Sequence, residues 1–134
     1  MQIRVELTDR PIATTTVPEL AGVAGSVVEF QGVVRGEEEG HPIASLEYEA
    51  YDAMAIRTMT RILDSLGRKH PCLAVHVVHR KGIVPVGHAA IMVKVWSQHR
   101  GAGFDLVRDF MDRLKQDVPI WKRRAFPAEK TNTL

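Results

Sequence analysis

Apolar and polar residues alternate along this chain with two different periods. A period of two, typical of half-buried β-strands, occurs in Gln2–Leu7, where Ile3, Val5 and Leu7 share one face. Apolar runs rich in β-branched residues predict further strands at Ser26–Val34, Ile43–Tyr51, Cys72–His79 and His88–Ser97. The strands at 26–34 and 43–51 flank a polar loop at 35–42, so we expect them to pair as a hairpin.

A period of 3.6 replaces this alternation in two segments and predicts helices. In Asp52–Lys69 the apolar stripe is Ala55, Met59, Ile62, Leu63 and Leu66, and Asp52 is a suitable N-cap. In Gly101–Asp117 the stripe is Phe104, Val107, Phe110, Met111 and Leu114. Pro119 ends the second helix because the residue before a proline avoids helical angles. Ile120–Phe126 then runs extended.

This order of elements predicts an α+β fold, with two main helices on one side of a mixed or antiparallel sheet. A length of 134 residues favours a single domain over 1–134. No apolar run reaches the length of about 18 residues that a membrane helix needs. The N-terminus shows no secretory pattern, and the single cysteine, Cys72, suits a reducing compartment, so we expect a cytoplasmic protein.

Charge is distributed unevenly along the chain. Residues 1–112 contain 12 basic and 14 acidic residues, whereas residues 113–134 contain six basic and two acidic residues, so their net charges are −2 and +4. A cationic end suggests an anionic ligand or partner. A solvated basic tail has the same composition, and charge alone does not distinguish the two interpretations.

Lys115 and Lys122 lie on either side of the proline that ends the second helix. Because the chain reverses there, both amines are able to reach one site. Neighbouring ammonium groups lower each other's pKa, and a lysine near neutrality transfers protons or attacks a carbonyl. The helix dipole alone also favours a lysine at this position, and basic residues commonly stack on a tryptophan such as Trp121.

Three further residues with nitrogen-containing side chains follow the ends of predicted strands. His99 and Arg100 lie at a strand–helix junction, where free N–H groups of the helix hold anions. Arg35 ends the strand before the polar loop, a position that often contacts a ligand. Each pattern also occurs in ordinary turns, and the glycines around Arg100 match no dinucleotide or Walker fingerprint.

No metal site is expected. His76 and His79 lie three residues apart on a strand and therefore point to opposite faces. The remaining histidines lack the spacing of zinc ligands. Cys72 opens an apolar strand, where a buried small hydrophobe is more common than a nucleophile.

Five motifs in a fixed order carry a family resemblance. They are Val27-Val-Glu-Phe-Gln-Gly-Val-Val-Arg35, Leu46-Glu-Tyr-Glu-Ala-Tyr51, Val77-Val-His-Arg-x-Gly82, Ser97-x-His-Arg100 and Leu114-Lys115-(x3)-Pro119-Ile-Trp-Lys-Arg123. Together they resemble the large, catalytic subunit of molybdopterin synthase over roughly residues 25–126, which is most of the chain.

The resemblance implies an α/β-hammerhead-type fold, a homodimer, and a small ubiquitin-like partner at each end of a heterotetramer. The partner's Gly-Gly tail carries a thiocarboxylate, which supplies sulfur to cyclic pyranopterin monophosphate (precursor Z). Two transfers build the dithiolene of molybdopterin. Since the partner supplies the sulfur, the resemblance implies no resident cofactor or metal and no catalytic cysteine.

The resemblance also implies roles for individual residues. Lys115 and Lys122 match the family's catalytic lysines; we expect Lys115 to lie nearest the thiocarboxylate and Lys122 to assist proton transfer or hold the intermediate. Arg35, His99 and Arg100 match contacts to the substrate anion. Substrate-pocket stretches contain Val33, Val34, Arg123 and Arg124.

The sequence departs from the family pattern at three places. Arg124 and His88 stand where relatives prefer an acid, and the sequence ends at Leu134, before a longer tail common in relatives, so we expect tail contacts to be absent. Two alternatives remain: a scaffold paralogue without activity, and a non-catalytic module for anions or nucleic acid. Against nucleic acid, aromatic residues are only 6% of the chain and are not interleaved with the basic segment.

Overall fold

The computed structural model describes residues 1–128 and shows two helices with two sheets. A short 3₁₀ turn, with Pro18 in its first position, precedes the second strand. The elements are β1 (Gln2–Thr8), β2 (Ser26–Val33), β3 (Glu37–Glu38), β4 (His41–Ala50), α1 (Asp52–Lys69), β5 (Ala74–Arg80), β6 (Gly82–Pro85), β7 (Ala89–Ser97), α2 (Arg100–Asp117) and β8 (Ile120–Pro127). The predicted α+β class is confirmed.

The first sheet has the strand order β1-β5-β7-β2. β1 runs parallel to β5, and the other neighbours are antiparallel. Cross-strand pairs such as Val75 with Val95 and Val77 with Val93 present β-branched side chains to α1 and α2, and these residues form the main core. The opposite face is partly covered by the segment around Val17, which packs with Ala74 and Trp96.

Helix α1 begins and ends where its 3.6-residue pattern predicts. All five residues of its apolar stripe are buried, Met59 and Leu63 completely. The predicted N-cap is wrong by one position: Tyr51 is the cap residue, and no side chain bonds the first free N–H groups. Asp52 is the first helical residue, and its carboxylate pairs with the amine of Lys81 instead.

Helix α2 is rotated relative to its predicted face. Phe104 is 52% exposed, whereas Gly103 and Leu106 face the core together with Phe110 and Leu114. The reason is close packing at Gly103, where an added Cβ would lie 3.2 Å from the side chain of Val28 on β2. A glycine at this contact lets the first turn approach the sheet, which turns the adjacent phenylalanine outward.

The predicted hairpin between residues 26–34 and 43–51 is wrong. β2 pairs with β7, and β4 pairs with β3, β6 and β8 in the second sheet. The polar loop closes its own tight hairpin, in which Glu39 and Gly40 have φ angles of 50° and 80°. The connection between β5 and β7 likewise contains a short strand, β6, which adds to the edge of β4. Neighbours in sequence are therefore divided between two sheets.

The two histidines of β5 lie on opposite faces, as predicted. His76 bonds the Thr15 hydroxyl at 2.9 Å, while His79 packs against the Tyr48 ring in a T-shaped arrangement, 5.3 Å between centroids. Residues 1–128 contain no cluster of three potential metal-ligating side chains. Cys72 packs against the main core, and burial raises the pKa of its thiol, which keeps it in the less reactive form.

Within residues 1–128, neither helix combines the length and the apolar character needed to cross a membrane.

Candidate active site

Lys115 and Lys122 line a single cavity of about 530 Å³. Lys115 occupies the last turn of α2, the chain reverses at Val118–Pro119, and β8 carries Lys122 back past the helix end. Two backbone bonds fix the reversal: the Val118 N–H donates to Leu114 at 3.2 Å, and the Tyr51 N–H donates to Pro119 at 3.1 Å. The structure thus brings together the two lysines that the sequence placed around the proline.

The walls of this lysine cavity are mostly apolar. Strand β2 and strand β7 form one side, the end of α2 another, and β4 with β8 the third. Its apolar lining residues are Phe30, Gly32, Val33, Ala90, Ile91, Met111, Leu114, Ile120 and Trp121. Four polar side chains interrupt this lining: Lys115, Lys122, Tyr48 and His79. Concave, largely apolar sites with a few polar groups are typical of small-molecule binding.

A carboxylate from the second sheet pairs with one of the lysines. The amine of Lys122 lies 3.0 Å from Oε1 of Glu38, which the tight β3–β4 hairpin holds beside the cavity. Half of the Lys122 side chain is exposed, so the pair contributes little stability, about 1 kcal/mol at most. Its consequence is orientation, because the amine is held at one position at the cavity wall.

Tyr48 and His79 are held in their uncharged forms. Burial raises the pKa of the Tyr48 hydroxyl, an effect that the nearby Lys122 cation partly opposes. Burial lowers the pKa of His79, against a smaller opposing effect of its hydrogen bond to the Arg80 carbonyl. At neutral pH the cavity therefore presents a phenol and a neutral imidazole beside its lysines.

His99 and Arg100 line a different cavity, of about 610 Å³, at the opposite end of α2. His99 is the N-cap residue of this helix, and its carbonyl accepts a 2.6 Å hydrogen bond from the Ser97 hydroxyl. Lys115 follows Arg100 by 15 positions, which corresponds to about 22 Å along the helix axis. Within one chain, the structure does not bring this pair to the two lysines.

The other predicted pocket residues are also dispersed. Val33 lines the lysine cavity, whereas Val34 is buried in a separate cluster with Ile43 and Leu46. Arg35 is exposed just beyond the end of β2.

Arg123 and Arg124 point away from the lysine cavity and pair with carboxylates of β4. Arg124 donates to Glu47 at 2.8 Å, and Arg123 lies 3.5 Å from Glu49. Arg113 pairs with Asp117 in the same way. Much of the predicted basic segment is thus compensated by neighbouring acids, which disfavours a nucleic-acid surface. Lys130, part of that prediction, lies outside the described residues.

The chain is similar to known proteins over most of its length. The family described as "MoaE protein" matches residues 7–117. The chain is 40% identical over 121 residues to molybdopterin synthase catalytic subunit 1 of Mycobacterium tuberculosis. This alignment covers 87% of this chain and 81% of the relative. The chain belongs to the MoaE family. The family predicted from the five motifs, a family of molybdopterin synthase catalytic subunits, is therefore confirmed.

Two further relatives define how far the MoaE similarity extends. The human molybdopterin synthase catalytic subunit is 38% identical over 112 residues, or 84% of this chain, but the chain spans only 60% of that relative. The crystal structure of molybdopterin synthase from Staphylococcus aureus superimposes with a TM-score of 0.79 at 31% identity, covering 93% of this chain and 92% of the other. The fold is shared over nearly the whole chain.

Three polar side chains in or beside the lysine cavity were not predicted as site residues from the sequence. Tyr48 and His79 lie inside two of the five motifs, but a strand pattern does not show which side chains border a cavity. Glu38 belongs to a loop whose composition indicated only polarity. A carboxylate, a phenol and an imidazole thus add to the two lysines.

Proposed function

We propose that this chain is the catalytic subunit of a molybdopterin synthase. In this proposal it transfers sulfur from the C-terminal thiocarboxylate of a small ubiquitin-like subunit to cyclic pyranopterin monophosphate. The observation that carries the proposal is the meeting of Lys115 and Lys122 in one largely apolar cavity. Membership of the MoaE family supports it, and the relatives are described as catalytic subunits, which implies a further subunit in their enzymes.

The chemistry of the cavity suits an anionic sulfur donor. A thiocarboxylate carries one negative charge, and the ammonium groups of Lys115 and Lys122 offer the cations to hold it. Apolar walls exclude water, which strengthens these charge interactions relative to bulk solvent. In our proposal Lys115 lies nearest the thiocarboxylate, and sulfur passes to the pterin side chain in two successive transfers.

Lys122 has the contacts expected of a group that assists proton transfer. An ammonium has three N–H donors, so Lys122 is able to keep its bond to Glu38 and still offer two protons to the cavity. Glu38 fixes the amine, and the carboxylate replaces the acid that Arg124 does not provide, because Arg124 is turned toward Glu47.

The substrate phosphate needs binding partners of its own, and the described lining of the lysine cavity contains no cation besides the two lysines. His99, Arg100 and Arg35 are our proposed contacts, with the N-terminus of α2 adding its free N–H groups. Since Arg100 lies about 22 Å along α2 from Lys115, these contacts reach a substrate at the lysines only from a second copy of the chain. The homodimer implied by the family resemblance supplies that copy.

A reconstituted reaction tests the proposal. The purified chain is mixed with a thiocarboxylated small subunit and the pyranopterin, and molybdopterin is measured. We expect Lys115→Ala and Lys122→Ala to lower the rate by about 100- to 10,000-fold, the usual effect of removing a positioned acid or base.

Two control variants complete this experiment. Arg113→Ala removes a cation from the same helix, but one that pairs with Asp117 outside the lysine cavity, and it should retain normal activity. Cys72→Ala should also retain it, because the sulfur comes from the partner. Wild-type rates in both lysine variants would refute the proposed roles, and loss of transfer in a folded Cys72→Ala protein would refute the partner as sulfur donor.

A further inference from the structure

His79 has one ring nitrogen committed to the backbone. Its Nδ1 lies 2.8 Å from the carbonyl oxygen of Arg80. A carbonyl oxygen only accepts hydrogen bonds, so Nδ1 must carry the proton. Burial lowers the pKa of His79 and keeps the ring neutral at pH 7. The tautomer is therefore defined, and the lone pair belongs to Nε2.

That lone pair is accessible from the lysine cavity. His79 is only 5% exposed, yet it lines the cavity. Because Nδ1 is turned toward the Arg80 carbonyl, the side of the ring that is left to border the cavity is the side that carries Nε2. The Tyr48 ring, 5.3 Å away between centroids, and the adjoining strand β7 hold the imidazole in place.

We propose that Nε2 of His79 is a substrate contact, which accepts a hydrogen bond from an N–H group of the pterin ring. This inference rests on the proposed function and adds the residue that orients the heterocycle. The lysines and Glu38 carry the charges of the cavity, whereas His79 offers a neutral acceptor in its wall. Lysine ammonium groups have no acceptor, so they cannot recognise an N–H donor. A reduced pterin, rich in N–H groups, fits a cavity that presents both kinds of partner.

Two substitutions separate the cavity-facing nitrogen from the backbone-bonded one. His79→Asn places an amide near Nδ1, which keeps the bond to the Arg80 carbonyl but removes the acceptor at Nε2. His79→Gln places an amide oxygen near Nε2, which keeps an acceptor in the cavity but removes the donor at Nδ1. A purely structural role for His79 predicts that the glutamine variant is the more damaged of the two in every assay.

The experiment measures pyranopterin binding by calorimetry, the KM for the pyranopterin and kcat in the reconstituted reaction, small-subunit affinity, and the melting temperature. We expect His79→Asn to weaken pterin binding and raise KM by about 3- to 10-fold, the effect of one lost hydrogen bond. Its melting temperature and small-subunit affinity should stay near those of the wild type. His79→Gln should bind the pterin more tightly than His79→Asn although it melts at a lower temperature.

The possible results distinguish this inference from the proposed function. If the wild type makes molybdopterin and His79→Asn binds the pterin as tightly as wild type, the inference is overturned and the function stands. The same holds if the asparagine variant binds more tightly than the glutamine variant. If the wild type neither binds the pyranopterin nor makes product with a thiocarboxylated small subunit, the proposed function fails and the inference fails with it.

Discussion

Gly25 and Gly101 offer a matched test of how the second cavity is built. Both line the cavity that contains His99 and Arg100. A Cβ on Gly25 would lie 2.2 Å from the carbonyl oxygen of Gln98, whereas a Cβ on Gly101 would meet nothing within 4 Å. Alanine at the two positions therefore adds the same methyl group to the same cavity, with a backbone clash at only one of them.

The expected magnitude for Gly25→Ala follows from this distance. Ordinary C···O contacts are about 3.3 Å, so the strand end carrying Gln98 must move by about 1 Å. Gly25 also donates a 3.0 Å backbone bond to Ser97, which such a movement strains. Overpacking of this kind costs roughly 1–3 kcal/mol, or a fall in melting temperature on the order of 4 °C per kcal/mol. Displacement of His99 and Arg100 by 1 Å should lower kcat/KM by up to about 100-fold.

Thermal unfolding and the reconstituted sulfur-transfer assay measure both effects. Gly101→Ala should melt at or above the wild-type temperature, because alanine favours helix, and it should keep full activity. A Gly25→Ala protein that matches the wild type in both assays would show that the backbone clash has no effect. A Gly101→Ala protein as damaged as Gly25→Ala would show that the added methyl group, and not the clash, causes the damage.

Three further predictions concern the lysine cavity and the core. Glu38→Gln should lower kcat about five-fold, which is equivalent to the loss of up to about 1 kcal/mol that holds Lys122 in place. Glu37→Gln on the same strand should leave kcat unchanged. Equal rates for the two variants in steady-state kinetics would contradict the role of Glu38. Phe110→Ala should lower the free energy of unfolding in urea by about 3–5 kcal/mol because the ring is fully buried. The same change at Phe104, which is 52% exposed, should lower it much less. Equal losses of stability would contradict the orientation of α2. Burial lowers the pKa of His79 below 6.5, so the unfolded chain takes up a proton on this residue before the folded chain does. The stability from neutral His79 is therefore complete above about pH 6.5 and is lost as the pH falls toward the folded pKa. The free energy of unfolding, measured from pH 7.5 to 5.5, should fall more steeply for the wild type than for His79→Asn, and parallel curves would rule this out.

The separation of the two cavities has a consequence for the enzyme as a whole. The lysines lie at the C-terminal end of α2 and the His99–Arg100 pair at its N-terminal end. Strand β2 runs past both cavities, with Val27 on one and Phe30 and Val33 on the other, and it is an edge strand of its sheet. All three side chains are substantially exposed. An edge strand with apolar side chains between the two cavities is well placed for contact with the second copy of the chain that the proposed function requires.

Local patterns were sufficient for much of this protein. Both helices follow from the 3.6-residue period, because apolar residues with that spacing lie on one face only when the segment is helical. The bounds of α1 agree with the predicted segment at both ends. The meeting of Lys115 and Lys122 follows from Pro119, because a helix must end there and the chain must turn. The family follows from five motifs whose order and separations are properties of the sequence itself.

Other features depend on contacts between distant parts of the chain. The alternation in β2 and β4 shows that each is a strand, but it does not show which strand lies beside it, and β2 pairs with β7 instead of β4. The outward turn of Phe104 depends on how closely Gly103 approaches Val28. The contact between Glu38 and Lys122 joins residues 84 positions apart. Periodicity describes the neighbours of a residue along one element, whereas pairing, rotation and cavity walls are settled by packing between elements.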